Sequence, residues 1–409
     1  MALRFVGALR GENTKDVVRR GAIISLIAFL TLIDLFGSQA LLPMLVTAYQ
    51  VDAATMGVAV NASTFGMAIA GLLVAYYSDR IDRRKGIWLS LALLAIPTVL
   101  LAFTDNIAVF TALRVAQGLC MSAAFTLSIT YFSEQCDVTA AAGAMAAYIT
   151  GNVASNFIGR FLAVALADLG GLPLSFIGFA VLNLLGAWIA YSVLSSYAND
   201  VDYAHDFAQK KASPFKAWAA HLRQPQLRAS FTIGFVILFA FVGVFTYVNF
   251  VLVGEPIGLN PAYLGLIYAV FVPAMVTTPM AGDVARRHGV RKTFGGAIIV
   301  SLVGLLALIV PNLWAVLLGM TLIAVGLFFA QAAVTGYVGR TAESNRAAAN
   351  GLYLTSYYVG GLVGAFALGM VFDGQGWAVT VAIIGLALLA AFALALSLRE
   401  AAAAPVAAT

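Results

Sequence analysis

An all-α membrane protein of twelve transmembrane helices, set in two pseudo-symmetric six-helix halves, is the fold class the sequence predicts. Three observations predict it. Of 409 residues 62% are hydrophobic and only 10% charged, against about 25% charge in an ordinary soluble domain. The apolar residues fall into twelve runs, each long enough for the roughly 20-residue helix that crosses a bilayer core. One long polar stretch divides these runs into six and six. A water-soluble chain of this composition could not cover its surface with polar residues, which excludes a cytosolic globular enzyme, a nucleic-acid binder and a disordered scaffold.

Residues 1–20 form an N-terminal segment. The N-terminal half, 21–195, carries spans at 21–46, 56–77, 87–104, 108–132, 141–167 and 174–195. A linker over 196–226 holds Asp200, Asp202, Asp206, Lys210, Lys211 and Arg223. The C-terminal half, 227–398, carries spans at 227–253, 262–281, 293–310, 314–338, 348–372 and 377–398, and 399–409 form a tail. The first run exceeds the apolar stretch of about 7–15 residues in a signal peptide, and no A-x-A-like site follows it, so it reads as a span.

Charge placement sets the orientation. Every Lys and Arg other than Arg114, Arg160 and Arg228, the last only two residues past the linker, lies in the N-terminal segment, the linker, the tail or an even-numbered loop, whereas the odd-numbered loops hold acids such as Asp52, Asp105, Asp168, Glu255 and Asp373. Basic residues favour cytoplasmic loops, so both termini are expected in the cytoplasm of a bacterial-type inner membrane. The net charge of +5 is thus a topology signal and points to no nucleic acid.

The halves repeat. At an offset of 207 the second loop, Tyr76 to Arg84, overlays the eighth, Asp283 to Arg291, and small-residue tracts recur at Ala140–Gly143 and Ala347–Gly351. Parallel repeats place a substrate site at their interface near the bilayer midplane.

The second loop reads D-R-x-x-R-R after a span rich in small residues, with Asp79, Arg80, Arg83 and Arg84. Here the chain resembles the major facilitator superfamily, whose loop signature is roughly G-x-L-A-D-R-x-G-R-R/K; Ala75 and Asp82 replace the two glycines. The eighth loop matches at Gly282, Arg287, Gly289 and Arg291, with Arg286 in place of the acid. The resemblance implies a cytoplasmic gate in which Asp79 meets a helix N-terminus of the opposite half, held by Arg80, Arg83, Arg84, Arg287 and Arg291. The plainer reading is a positive-inside anchor.

The fourth span holds Arg114-Val115-Ala116-Gln117-Gly118, matching the R-x-x-Q-G pattern that the resemblance associates with proton-coupled members. An arginine in hydrocarbon costs several kcal/mol unless paired or hydrated. Asp34, midway along the first span and nine residues before Pro43, is its expected partner, in a D…P spacing similar to that of drug/proton antiporters. Burial favours a neutral carboxyl and a nearby guanidinium favours a charged one, so a site alternating between the two can pick up and release a proton. The alternative is a static ion pair.

The fifth span carries Gly151, Asn152, Ser155, Asn156, Gly159 and Arg160 where the family's antiporter motif is about G-x-x-x-G-P-x-x-G-G. Gly151 and Gly159 match; Ser155, Asn156 and Arg160 do not, and the kink-forming proline is gone. With Tyr357-Tyr358-Val359-Gly360-Gly361 this resembles the YnfM-type branch of efflux permeases. Arg160 either snorkels outward or pairs with Asp168, or else it lines the cavity, where one acid and two bases would attract an anionic substrate. The second half offers Tyr247, Asn249, Gln331, Tyr357 and many other aromatics instead of charge. The expected division is protons in the first half and a mostly apolar substrate gripped largely by the second, with Arg160, Asn152 and Asn156 assisting. For any one aromatic the competing role is lipid contact or helix packing.

Cys120 and Cys136 form no disulfide framework or CxxC pair, the histidines 205, 221 and 288 form no metal set, and no phosphate loop is present. No cofactor, metal or enzymatic activity is expected. The function expected is proton-coupled export of a small organic molecule, a drug-like compound or metabolite, by a monomer in the lipid bilayer. The alternatives are uptake of a small anion or sugar by symport or uniport, and a non-transporting scaffold.

Overall fold

The computed structural model describes residues 14–77, 81–135, 138–196, 214–342 and 346–398. The apolar runs of the first half become α1 (Thr14–Ala40), α2 (Leu42–Tyr49), α3 (Ala53–Tyr77), α4 (Arg83–Leu101), α5 (Ile107–Gln135) and α6 (Val138–Ser196). The first expected span is two helices. Pro43, tolerated only in a first turn because it has no N–H to give, ends α1 and starts α2. Asp82 caps α4, accepting the Arg84 and Lys85 N–H groups at 3.0 and 3.2 Å, which is a use for an acid where the loop signature has glycine.

Helix α6 is 59 residues long and comprises the fifth and sixth spans, joined through non-helical Gly170 and Gly171. Gly171 has φ 74°, a conformation costly for any residue with a Cβ. Among the described residues eleven helices are long and apolar enough to cross a membrane, and the one over Ala147–Leu194 is 48 residues long, so division at this turn matches the twelve expected crossings.

The linker contains a helix that hydropathy does not reveal, α7 (Pro214–Arg223), packed on α8 (Pro225–Val253) and on the later helix over Arg346–Gln375. The eighth span is not one regular helix. It runs as short turns, with α9 (Leu264–Ile267), α10 (Val272–Thr277) and α11 (Ala281–His288) separated by 3-10 segments at Tyr268–Phe271 and Thr278–Met280. Pro273 and Pro279 supply the cause, each removing a ladder donor. The chain continues through α12 (Val290–Leu308), α13 (Leu313–Thr341), α14 (Arg346–Gln375) and α15 (Trp377–Ala395).

Within the first half α1 packs on α6, α3 on α5, and α4 on both α5 and α6; within the second α8 packs on α14 and α15, and α12 on α13. The halves meet where α3 lies against α14 and where α6 lies against the broken eighth span. Their kinship shows in how backbones touch. A Cβ on Gly151 would sit 1.9 Å from the Ser25 carbonyl oxygen of α1, and one on Gly360 would sit 2.0 Å from that of Phe235 on α8. These contacts recur at nearly the offset of the loop repeat. Gly151→Ala and Gly360→Ala should therefore each lower the apparent Tm of the purified protein, by the equivalent of about 1–3 kcal/mol of overpacking. Gly282→Ala, with nothing within 4 Å of the added carbon, should leave it unchanged in the same thermal scan.

Candidate functional site

Buried polar side chains gather in two places, one inside the first half and one between the halves. Arg114 and Gln117 share a face of α5 because they are three residues apart. Gly118 lets that face touch α3: a Cβ there would lie 1.9 Å from the Ser63 carbonyl oxygen. Arg114 is fully buried and well supplied with acceptors. Its Nε donates to the Val60 carbonyl at 2.8 Å and its Nη2 to Ser63 Oγ at 3.2 Å. Its Nη1 donates to Gln117 Oε1 at 2.5 Å and to the Asp34 main-chain carbonyl at 3.3 Å.

The Asp34 carboxyl takes a different set of partners. Its Oδ2 accepts from Asn183 Nδ2 at 2.8 Å, Thr98 Oγ1 at 3.0 Å and Gln117 Nε2 at 3.3 Å, while its Oδ1 is buried with no hydrogen-bond partner. The pair expected from sequence is therefore made through main chain and through the Gln117 amide, which donates to the acid and accepts from the base. The reason is geometric: the close α3–α5 approach turns the guanidinium toward α3, while Asp34 faces α4 and the second arm of α6. Sequence reasoning missed Asn183 and Thr98. They carry no spacing signal, since they lie 149 and 64 residues from Asp34.

Asp34 also stands off the α1 stripe of Leu32, Leu35, Phe36 and Gln39 that lines the central cavity between the halves. That cavity is small, about 40 Å³, room for a few waters at roughly 10–15 Å³ each. Asn152, Gln331 and Tyr357 line it, with Tyr358, Phe241 and Phe328. Asn156 lies one turn beyond Asn152 on α6, buried, its Nδ2 donating to the Asn152 carbonyl at 3.3 Å. Tyr247 and Asn249 are placed elsewhere. The Tyr247 hydroxyl donates to the Ala365 carbonyl and its ring stacks 5.2 Å from Phe372.

Arg160, a further turn along α6, is fully buried and neither reaches the surface nor pairs with the exposed Asp168. Its Nη2 donates to Gln39 Oε1. Four rings surround the guanidinium carbon, with centroids at 4.1 Å (Tyr268), 5.2 Å (Phe271), 5.4 Å (Phe245) and 5.7 Å (Phe36). Around this box the halves are bonded together at the end that bears the odd-numbered loops. Asn249 Nδ2 donates to the Gln39 carbonyl at 3.1 Å, Asn61 Nδ2 to Thr246 Oγ1 at 3.1 Å, and the Ala54 N–H to Asp373 Oδ2 at 2.9 Å. Asp52 caps the same N-terminus of α3 through the Thr55 N–H at 2.5 Å, which holds its carboxyl below the usual range.

Of the loop residues expected to gate the opposite end, Asp79 and Arg80 lie outside the described residues. Arg83 Nη1 donates to the Ile81 carbonyl at 3.0 Å, Arg84 lies 6.0 Å from the Tyr131 ring, and Arg291 Nε donates to the Leu398 carbonyl. Each of these contacts stays within its own half, and Arg287 is exposed.

Comparison with known proteins places this geometry. The family model described as Major Facilitator Superfamily matches residues 24–272 and 248–408. The chain is 25% identical over 366 residues to the uncharacterized MFS-type transporter YybF of Bacillus subtilis, covering 89% of each. It is 26% identical over 357 residues to the inner membrane transport protein YnfM of Escherichia coli, covering 87% of this chain and 85% of that one. Among solved structures, a bacterial homolog of the human lysosomal transporter Spinster, in an inward-facing and occupied conformation, superposes with a TM-score of 0.73 at 15% identity, covering 96% of this chain and all of that one.

The Asp34 cluster yields a coupling test. Asn183→Leu removes the shortest bond to the carboxyl and should lower the apparent Tm by the equivalent of about 1.5–3 kcal/mol, the range for a hydrogen bond to a charged group. In an Asp34→Asn background the same substitution should cost less, and a double-mutant thermal-melt cycle measures the difference.

Proposed function

The chain belongs to the Major Facilitator Superfamily and is a multi-pass membrane transporter, and from that premise we propose that it couples protons to the export of a small organic molecule by alternating access. The observation that carries the reading is the buried Asp34 carboxyl, with one oxygen accepting from three side chains and the other accepting from none. A carboxyl in hydrocarbon is costly to keep charged. Protonation at the unpartnered Oδ1 would weaken the pull of Oδ2 on Gln117, Thr98 and Asn183, and Gln117 is the side chain that ties the acid to Arg114.

Asp34 does not open on the central cavity, so coupling acts through α1. That helix carries the acid on one face and the cavity-lining Phe36 and Gln39 on another, and a tilt that follows protonation moves both. Export is supported by the Asp34…Pro43 spacing, with the helix broken at the proline, and by the R-x-x-Q-G pattern whose Arg, Gln and Gly all take part in the cluster. The cavity is lined mostly by apolar and aromatic groups, with Asn152, Gln331 and Gln39 as polar points, a mix that suits an organic molecule with few polar groups. The protein works as a monomer in a bacterial inner membrane with both termini in the cytoplasm. Asp79 and the basic residues Arg80, Arg83, Arg84, Arg287 and Arg291 gate the cytoplasmic end.

Transport of a thermal-shift hit in proteoliposomes tests the coupling. Asp34→Asn should retain counterflow, which needs only exchange, and should lose accumulation driven by an imposed pH gradient. Gradient-driven accumulation that persists in Asp34→Asn assigns the cluster to packing and overturns the proposal.

A further inference from the structure

The two buried guanidiniums differ in a way that names the substrate's charge. Arg114 uses its Nε, Nη1 and Nη2 on four acceptors. Arg160, equally buried, is held by Gln39 and by the Tyr268 side chain, and its Nε and Nη1 are buried without a hydrogen-bond partner. Aromatic faces attract a cation, yet they leave in-plane N–H donors unmet, and stranded buried donors are costly. The Asp, Glu, Lys and Arg side chains that are buried among the described residues are Asp34, Arg114 and Arg160, one positive charge more than the negative. The surplus falls on the guanidinium with donors to spare.

A path joins it to the cavity. Asn152, Asn156 and Arg160 follow at intervals of four along α6, which stacks them on one face at about 6 Å per step. Asn152 is in the cavity wall, and the Oδ1 atoms of Asn152 and Asn156 are buried without partners. Each amide can turn its NH2 group toward an anion. Gln39, which bonds Arg160 Nη2, also lines the cavity, so its side chain stands between the guanidinium and the cavity.

We infer that Arg160 is the subsite for the carboxylate of a monoanionic substrate whose apolar body occupies the central cavity. The planar fork of arginine matches a carboxylate with two parallel bonds; each bidentate edge pairs Nη2 with one of the unmet donors, Nε or Nη1, so a carboxylate that takes Nη2 from Gln39 completes an edge. Displacing Gln39 opens the site from the cavity. Three of the four rings, Phe245, Tyr268 and Phe271, belong to the opposite half, so parting of the halves at this end withdraws them and frees the anion on the other side. This deepens the transport reading, resting on the central cavity as the substrate's path, and does not depend on Asp34 as the coupling group.

The test uses the full chain in lipid nanodiscs with benzoate and its neutral analogue benzamide as probes. Benzoate should raise the Tm and benzamide should not. Arg160→Ala should weaken benzoate binding by about 30-fold or more, as loss of one partner of a buried charge pair does; Arg160→Lys, which keeps charge without the fork, should weaken it less. Equilibrium binding in nanodiscs needs no pH gradient, so failure of proton coupling in transport and failure of this subsite are separate results. Absence of a benzoate shift, or an equal shift with benzamide, overturns the inference without reference to any variant. So does undiminished benzoate binding in a folded Arg160→Ala protein.

Discussion

Within a bilayer no water is at hand to satisfy a polar group, so each one must find its partner in the protein. The cluster around Gln117 meets that constraint for the Arg114 guanidinium, the Thr98 hydroxyl and one oxygen of the Asp34 carboxyl. Arg114 binds α1 and α3 to α5 through main-chain carbonyls and Ser63. Asp34 binds α1 to α4 and to the second arm of α6 through Thr98 and Asn183. Four helices and α6 thus converge on one amide that donates to the acid and accepts from the base. The packing of the half follows from it, because α5 must press against α3 closely enough for Arg114 to reach Val60, and Gly118 is what permits that approach.

The second half solves the same constraint by having little to satisfy. Among its described residues the polar groups buried in the spans are amides, hydroxyls and tyrosines, and its aromatic side chains form a continuous set around Phe241, Phe245, Phe271 and Phe328. These rings reach across to the first half's second cation. One half therefore buries charge and the other supplies polarisable faces for it, although the two share close backbone contacts at Gly151 and Gly360.

Much of this was legible in sequence. Twelve apolar runs match twelve crossings, and the R-x-x-Q-G pattern marks Arg114, Gln117 and Gly118, all of which meet in the buried cluster. What was not legible has common causes. Asn183 and Thr98 reach Asp34 over long chain separations with no periodicity to reveal them. Sequence pairs Asp34 with Arg114, but which acceptor a guanidinium meets depends on how near two backbones lie, and that is set by Gly66 against Val115 of α5 and Gly118 against Ser63 of α3. A hydropathy run also cannot show that Pro43 splits its helix, that Pro273 and Pro279 break the eighth span into turns, or that the polar linker contains α7. For Arg160, sequence offered the surface, Asp168 or the cavity. The structure shows a box whose walls come from residues in the other repeat, which one chain's local pattern does not encode.

Gln39 shows why these features act together. Its side-chain oxygen meets Arg160, its amide nitrogen donates to Asn61 at 2.7 Å, and its main-chain carbonyl accepts from Asn249 of the opposite half. Asn61 in turn reaches Thr246, also across the interface. Closing the halves at this end and enclosing the guanidinium in rings are consequently one event, and the unmet donors of Arg160 are a cost that the closed state carries. An anion that satisfies those donors takes Gln39's partner away, and with it the restraint that keeps Gln39 aligned with Asn61 and Asn249. Ligand identity and interface strength are then set by the same side chain, so a difference in how the ligand contacts the open and closed arrangements becomes a shift between them. Because α1 carries Gln39 on one face and Asp34 on another, the buried carboxyl and the interface are joined by a single helix, with no need for a chain of intermediates between them.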